Sequence, residues 1–143
     1  MAVGKTTVGR VLAARLGMPF VDLDEHIGDV PAIFAAGGEA AFRDLETEHL
    51  RQLATGVGVL ALGGGTLERE QNRAALAGWR VVVLMAGEKT LAARLQSASG
   101  RPLASEWRAR LAARTPVWSS YGPPIWVDGL DAEGVAEHVL ARC

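Results

Sequence analysis

The chain has 143 residues, nearly half of them apolar, and a formal net charge of −1. It can therefore form one domain with a sizeable core, and its charge indicates no general attraction to nucleic acid or membranes. The longest strongly apolar run, Val81 to Ala86, is too short to cross a bilayer, and no signal peptide is visible. The single cysteine, Cys143, cannot form an internal disulfide, which fits a cytoplasmic protein.

Helical and strand-like patterns alternate along the chain. Strands separated by helices imply right-handed crossovers and a parallel sheet with helices on both faces. We therefore predict a single α/β domain over 1–143. In chain order the predicted elements are a helix ending at Gly17, a strand over 18–24, a helix over 39–54, a strand over 57–65 that runs into a glycine turn, a helix over 67–78, a strand over 79–85, a helix over 88–96, a loop over 100–106, a helix over 105–122 that Pro116 kinks or interrupts, a strand over 124–129 and a helix over 131–142.

The start of the chain contains half of a phosphate-binding loop. The full motif is G-x-x-x-x-G-K-[ST] between a strand and a helix, and only Gly4, Lys5 and Thr6 of it are present. In such a loop the backbone amides and the helix N-terminus face phosphates, the lysine reaches the outer phosphates, and the hydroxyl binds Mg²⁺. From this stretch alone, a chance match is an equally good interpretation.

Two acids end the first predicted strand. Asp22 and Asp24 are two residues apart on an extended segment, which would point both side chains the same way. They would then face the carboxyl edge of the sheet, where open α/β folds bind ligands. One carboxylate could hold Mg²⁺ through water and the other could accept a proton. The alternative, which this stretch alone favours, is that both are solvated caps.

The next candidates are arginines and a glycine run. Arg43 is spaced to meet Glu39 and Glu46 on one helix face. This is either ordinary surface pairing or an arginine held toward an anionic substrate. The glycines at 63–65 favour close backbone approach to a ligand.

Further arginines follow in and around the predicted loop. Arg101 could neutralise charge during phosphoryl transfer, and Arg94 and Arg114 are further candidate anion binders. Taken singly, each is better explained as a solvated side chain. The three histidines have no metal-ligand spacing.

The series GKT, DLD, GEAAFRDLE, GGG, RPL and RTPVW resembles the shikimate kinase family over nearly the whole chain. The resemblance implies a P-loop fold with three α/β/α layers around a five-stranded parallel sheet, of which the first, central strand has no counterpart in this chain. We expect from this that the recorded start lies downstream of the true one. The resemblance also implies a substrate-binding segment at about 24–54, a compact lid at about 98–110, and a monomer without nucleic-acid or membrane partners.

The activity implied by the resemblance is transfer of the ATP γ-phosphoryl group, with Mg²⁺, to the 3-hydroxyl of shikimate, a step toward chorismate and the aromatic amino acids. The alternatives are a non-catalytic P-loop relic that binds nucleotide or a partner, and a kinase for another small polyol acid. Asp24, Lys5 and Arg101 would be catalytic, with Asp24 as the base. The other implied contacts are Ala2, Val3, Gly4, Lys5, Thr6, Thr7, Arg94 and Arg101 with ATP, Thr6 and (through water) Asp22 with the metal, and Asp24, Phe34, Phe42, Arg43, Glu46, Gly64, Gly65 and Arg114 with shikimate.

Overall fold

A computed structural model describes residues 3–97 and 106–143. Helices and strands alternate along these residues as the sequence predicts, and the strands pair in parallel. None of the described helices is long and apolar enough to cross a membrane. The elements are α1 (Lys5–Leu16), β1 (Phe20–Asp22), α2 (Leu23–Ile27), α3 (Val30–Leu53), β2 (Val59–Ala61), a 3-10 turn (Thr66–Glu68), α4 (Glu70–Ala75), β3 (Leu84–Met85), α5 (Glu88–Gln96), α6 (Trp107–Ser119), β4 (Ile125–Trp126) and α7 (Ala132–Leu140).

The four strands form two separate parallel pairs within the described residues. β1 pairs with β2, with Phe20 opposite Val59, and β3 pairs with β4, with Leu84 opposite Ile125. The cavity between β2 and the segment 81–84 has a volume of about 310 Å³, and α1 lines it with Val8 and Leu12. We call this cavity the central cleft.

The backbone of both cleft walls points into the central cleft at alternate residues. The Val59 amide donates to Pro19 O at 2.9 Å, so Leu60 and Leu62 direct their backbone groups away from β1. On the other wall Val83 O accepts from the Ile125 amide at 2.8 Å, so the backbone groups of its neighbours face the cleft. No third strand joins the two pairs in the part of the chain that the structure describes.

The open cleft explains why one predicted strand is largely wrong. The run 79–85 has the continuous apolar character of a strand covered on both faces, yet only Leu84–Met85 is strand. Its single neighbour β4 is two residues long, and its other edge faces the central cleft. A strand forms where a neighbour supplies a ladder, so an apolar run by itself is insufficient.

The predicted helices occur with shifted boundaries. α3 consists of two helices that meet at Gly38, whose φ of 74° and ψ of −172° are non-helical. The second part matches the predicted helix over 39–54, and the first part, which was not predicted, is capped by Asp29, which accepts the Ala32 amide at 3.2 Å. The predicted helix over 67–78 divides into the 3-10 turn and α4. α6 continues through Pro116 as one helix.

Two apolar clusters hold the helices against the strand pairs. One contains Val3, Val8, Leu91, Val127 and Val135, and it fixes the start of α1 against α5 and α7. The other joins α2, α3, the 3-10 turn and α4 through four buried leucines: Leu23, Leu50, Leu67 and Leu76.

Candidate active site

The N-terminus of α1 is built to face an anion. Gly4 is the N-cap of the helix, with φ 84°, a left-handed conformation that glycine adopts without strain, and as a glycine it makes no side-chain cap hydrogen bond. The amides of the first turn, which include those of Lys5, Thr6 and Thr7, have no acceptor within the helix. Val3 is buried and anchors the preceding backbone. Amides and helix dipole together favour a phosphate at this position.

Thr6 and Asp22 link this helix terminus to the end of β1. The Thr6 hydroxyl donates a hydrogen bond to Asp22 Oδ2. The other oxygen, Oδ1, accepts the amides of Asp24 at 3.0 Å and Glu25 at 3.3 Å. Asp22 is thus the N-cap of α2 as well as the neighbour of a phosphate-facing helix. A hydroxyl and a carboxylate are hard oxygen donors of the kind Mg²⁺ prefers.

Asp24 lies at the electrostatic centre of the site. Its pKa is raised, first by burial and then by the charges of Asp22 and Glu46, while Lys5 and Arg43 oppose the shift. Its Oδ1 is buried without a hydrogen-bond partner in the described residues. The expectation that both acids project from one extended segment is wrong, because Asp24 belongs to α2.

Arg43 is held by a buried carboxylate. Its Nη1 donates to Glu46 Oε1 at 2.9 Å, and Thr66 Oγ1 donates to Glu46 Oε2 at 2.7 Å. Glu46 and Thr66 are fully buried and Arg43 is 9% exposed. The interpretation of Arg43 and Glu46 as a surface pair is therefore wrong. A second carboxylate, Glu39, lies 3.6 Å from Arg43 Nη2.

The glycine turn packs directly on these groups. A Cβ added to Gly65 would lie 2.4 Å from Arg43 Nη2, and one added to Gly63 would lie 3.0 Å from Glu46 Oε2 and 3.3 Å from Asp24 Oδ1. Gly64 lines the central cleft. The close approach that was predicted for this run therefore involves the site's own side chains.

Two phenylalanines border Arg43. The rings of Phe34 and Phe42 are 5.0 Å apart, and the Arg43 guanidinium lies 5.1 Å from the Phe42 ring centre. The geometry suits a cation stacked on an aromatic face. An apolar wall thus adjoins the buried charges.

Arg114 is the second buried arginine. Its Nε donates to Glu68 Oε1 at 2.7 Å, and the residue is 5% exposed. On the same helix, Arg110 donates to both oxygens of Glu39 at 2.7 and 3.0 Å. This paired contact is the main reason that the pKa of Glu39 is lowered. α6 is thereby tied both to the 3-10 turn and to α3.

Only some of the other predicted nucleotide contacts lie in the described residues. Arg94 lies on α5, and its charge contributes to the lowered pKa of Asp128, whose chief causes are hydrogen bonds from Thr90 and Gly87. Ala2 and Arg101 lie outside the described residues. Of the predicted lid over 98–110, only 106–110 is described, and it leads into α6.

Sequence reasoning missed the residues that hold the arginines in place. Thr66, Glu68, Asn72 and Arg110 were not candidates, although Thr66 and Glu68 directly follow the glycine turn. We call Arg43, Glu46, Thr66, Glu68 and Arg114 the arginine cluster. Its two arginines are each paired with a glutamate, and Lys5 and Arg43 both act electrostatically on Asp24. The two arginines, the start of α1 with Lys5, and the carboxylate of Asp24 suit two anionic ligands and a proton acceptor.

Comparisons with known proteins agree with this arrangement. A family model described as shikimate kinase matches residues 1–140. A shikimate kinase of Streptomyces coelicolor is 40% identical over 98% of this chain and 89% of its own length, and one of Thermobifida fusca is 46% identical over 82% and 74%.

Solved structures are similar over nearly the whole chain. A shikimate kinase from Acinetobacter baumannii in complex with shikimate superposes with a TM-score of 0.82 and 31% identity, covering 99% of this chain and 87% of that one. A shikimate kinase from Bacteroides thetaiotaomicron gives a TM-score of 0.85 with 28% identity, covering 99% and 92%. The predicted α/β P-loop fold is confirmed by these neighbours.

Proposed function

The chain belongs to the shikimate kinase family, and from that premise we propose that its site transfers the γ-phosphoryl group of ATP to the 3-hydroxyl of shikimate, a step toward chorismate and the aromatic amino acids. The observation that carries the proposal is the carboxylate of Asp24, whose Oδ1 is buried and which interacts electrostatically with both Lys5 and Arg43. Phosphoryl transfer needs a positioned acceptor and positive charge more than covalent chemistry.

We assign the nucleotide to the N-terminus of α1. The first-turn amides and Lys5 would bind the outer phosphates, and Val3 holds the backbone in place from the core. Arg94 would lie by the adenine, and Arg101 would reach the phosphates. Positive charge at this position stabilises the charge that spreads over the transferred group.

We assign shikimate to the arginine cluster and the glycine turn. Arg43 and Arg114 would bind its carboxylate, with Phe34 and Phe42 as an apolar wall and the backbone at Gly64 and Gly65 as further contacts. Asp24 would bind the hydroxyls and accept the proton from the 3-hydroxyl. Its raised pKa matches that task, because a base whose pKa lies nearer the operating pH transfers protons more effectively.

Magnesium fits the oxygens of Thr6 and Asp22. They meet at the N-terminus of α1, where the phosphates would lie. The described residues contain no group of three or more His, Cys, Asp or Glu side chains that could hold the ion alone. Bound with ATP, Mg²⁺ would neutralise phosphate charge.

We further propose that the chain forms one domain, that it is a monomer and that it is located in the cytoplasm.

The test is release of ADP on addition of shikimate, measured by a coupled assay. We expect shikimate-dependent turnover of the chain, and a fall in kcat of about 10²- to 10⁴-fold for Asp24→Asn with an unchanged KM for ATP. Asp44→Asn is the matched control, because Asp44 is an exposed acid that pairs with Arg69. Wild-type activity in Asp24→Asn would contradict the role of Asp24.

A second candidate is a protein that binds nucleotide without turnover. The central cleft favours it, because two strand edges face each other there and none of the strands in residues 3–97 and 106–143 lies between them. ATP binding without any shikimate-dependent ADP release would support this candidate over the kinase.

A further inference from the structure

One three-residue turn contacts the partner of Arg43 and supplies the partner of Arg114. Thr66, its first residue, donates to Glu46 Oε2 at 2.7 Å, and Glu46 in turn accepts from Arg43. Glu68, its last residue, accepts from Arg114 Nε at 2.7 Å. Arg43 and Arg114 come from different helices, α3 and α6, and the 3-10 turn connects them. The two helices are also joined directly, by the contact between Glu39 and Arg110.

The turn itself is held in one conformation. The Asn72 side-chain amide donates to Thr66 O at 2.8 Å, and Arg73 Nη1 donates to Leu67 O at 2.7 Å and Glu68 O at 3.0 Å. Thr66 and Asn72 are fully buried, and Leu67 is packed among leucines. Hydrogen bonds from α4 thus hold the backbone of the 3-10 turn, and the turn can therefore hold the carboxylates of Glu46 and Glu68 in place.

These contacts leave donors on each arginine for a ligand. A guanidinium has five N–H donors. Glu68 accepts from Nε of Arg114, and this contact does not use the N–H groups of Nη1 and Nη2. Arg43 uses Nη1 for Glu46, and its buried Nε has no hydrogen-bond partner in the described residues. Both cations are thus paired, as burial requires, without all their donors being used.

We propose that the 3-10 turn sets the relative position of Arg43 and Arg114 and thereby the affinity of the site for the carboxylate of its acceptor. Thr66 acts through Glu46, and Glu68 acts directly on Arg114, so both are positioning residues. The inference rests on the proposed function, because it assigns the acceptor to these two arginines.

The test compares Thr66→Val and Glu68→Gln with the wild-type chain. Valine keeps the shape of threonine and removes the hydroxyl, and glutamine keeps the length of Glu68 and removes its charge. We expect each to raise the KM for shikimate about 10- to 100-fold, the size of one hydrogen bond to a charged group, while the KM for ATP stays unchanged. Thr66→Ser, which retains the hydroxyl, should restore the wild-type value.

Two controls separate positioning from folding. Asp44→Asn removes an exposed partner of Arg69, which directly follows the turn, and should leave every kinetic constant unchanged. Nucleotide binding and thermal unfolding of Thr66→Val and Glu68→Gln report whether the fold survives. Equal losses for ATP and shikimate would overturn the inference, as would failure of Thr66→Ser to restore the KM.

The two proposals fail in different ways. A wild-type chain that turns over shikimate, with variants that keep its KM, overturns the inference alone. A lower KM in Glu68→Gln also overturns it, because Glu68 would then compete with the substrate for Arg114. A folded wild-type chain that neither binds nor phosphorylates shikimate overturns the proposed function, and the inference with it.

Discussion

The arginine cluster and the central cleft lie side by side and differ in how their polar groups are paired. In the cluster, two buried cations have carboxylate partners at 2.7 and 2.9 Å, and Thr66 hydrogen-bonds one of those carboxylates. In the cleft, no strand of the described part of the chain lies between the facing edges of β2 and the segment 81–84, and the surrounding side chains are mostly apolar. Gly63 and Gly64 line the cleft where it meets the site.

The difference separates two sources of stability. The cluster depends on side chains that come from two helices and one turn, none of which needs a complete sheet. The cleft depends on backbone pairing, which a neighbouring strand must supply. Removing the partner of a buried charge lowers the free energy of unfolding. Adding a strand that pairs with an open strand edge should raise it. Changes in the two regions should therefore have opposite effects.

The largest expected change in stability comes from removing a partner in the cluster. Glu46→Ala removes the buried carboxylate that pairs with Arg43 and leaves only Glu39, at 3.6 Å, so we expect the free energy of unfolding to fall by about 3–5 kcal/mol. This is a large share of the roughly 5–15 kcal/mol that a domain has. Urea denaturation followed by circular dichroism measures it.

Asp44→Ala is the comparison for this variant. It also removes one carboxylate from an arginine, but the side chain of Asp44 is 74% exposed, so the change should stay within about 0.5 kcal/mol. Equal effects of the two substitutions would show that burial of the cluster does not govern its contribution.

The cleft should respond to an addition. Val3 lines the cleft, so a segment of about seven Val and Ile residues, joined before Met1 by a short glycine linker, could reach it. We expect such a segment to raise the free energy of unfolding by about 2–4 kcal/mol, through several ladder hydrogen bonds of roughly 0.5–1.5 kcal/mol each. The denaturant m-value should rise with it, because more surface is buried.

A matched extension with proline at alternate positions tests whether pairing is responsible. It has the same length and stays apolar, but proline lacks the amide that a ladder needs. If both extensions stabilise the chain equally, apolar contact rather than strand pairing accounts for the effect, and the cleft is not a gap in a sheet.

Local contacts of the site could be predicted from the sequence, and distant ones could not. Arg43 and Glu46 are three residues apart on a helix, so their pairing follows from helix geometry. Glu68 and Arg114 are 46 residues apart, and no local pattern brings them together. Thr66 was missed for the same reason, since its partner Glu46 is 20 residues away.

The fold shows the same limit. Alternating apolar and amphipathic segments correctly indicate parallel strands and helices. The run 79–85 was nevertheless predicted as one strand, and only Leu84–Met85 is strand, because ladder formation depends on neighbours that a local pattern does not contain. Asp24 was placed on a strand because the pattern did not reveal that Asp22 caps a short helix.

The smallest effect concerns Asp24, which lies where the two regions meet. Its pKa is raised above the ordinary value of an aspartate, chiefly by burial. An acid with a raised pKa in the folded state contributes stability as the protonated form. That contribution is fully present below the pKa of the unfolded chain and is lost as the pH rises through the pKa of the folded protein.

Asp24→Asn should therefore be more stable than the wild-type chain at neutral pH, although we expect its kcat to be lower. The advantage should shrink as the pH falls through the folded pKa and vanish below the unfolded value, because both carboxyls are then neutral. Urea denaturation of the two chains at a series of pH values measures this, with Asp44→Asn as the exposed comparison. A constant difference at every pH would mean that packing, and not the charge buried between cluster and cleft, separates the two chains.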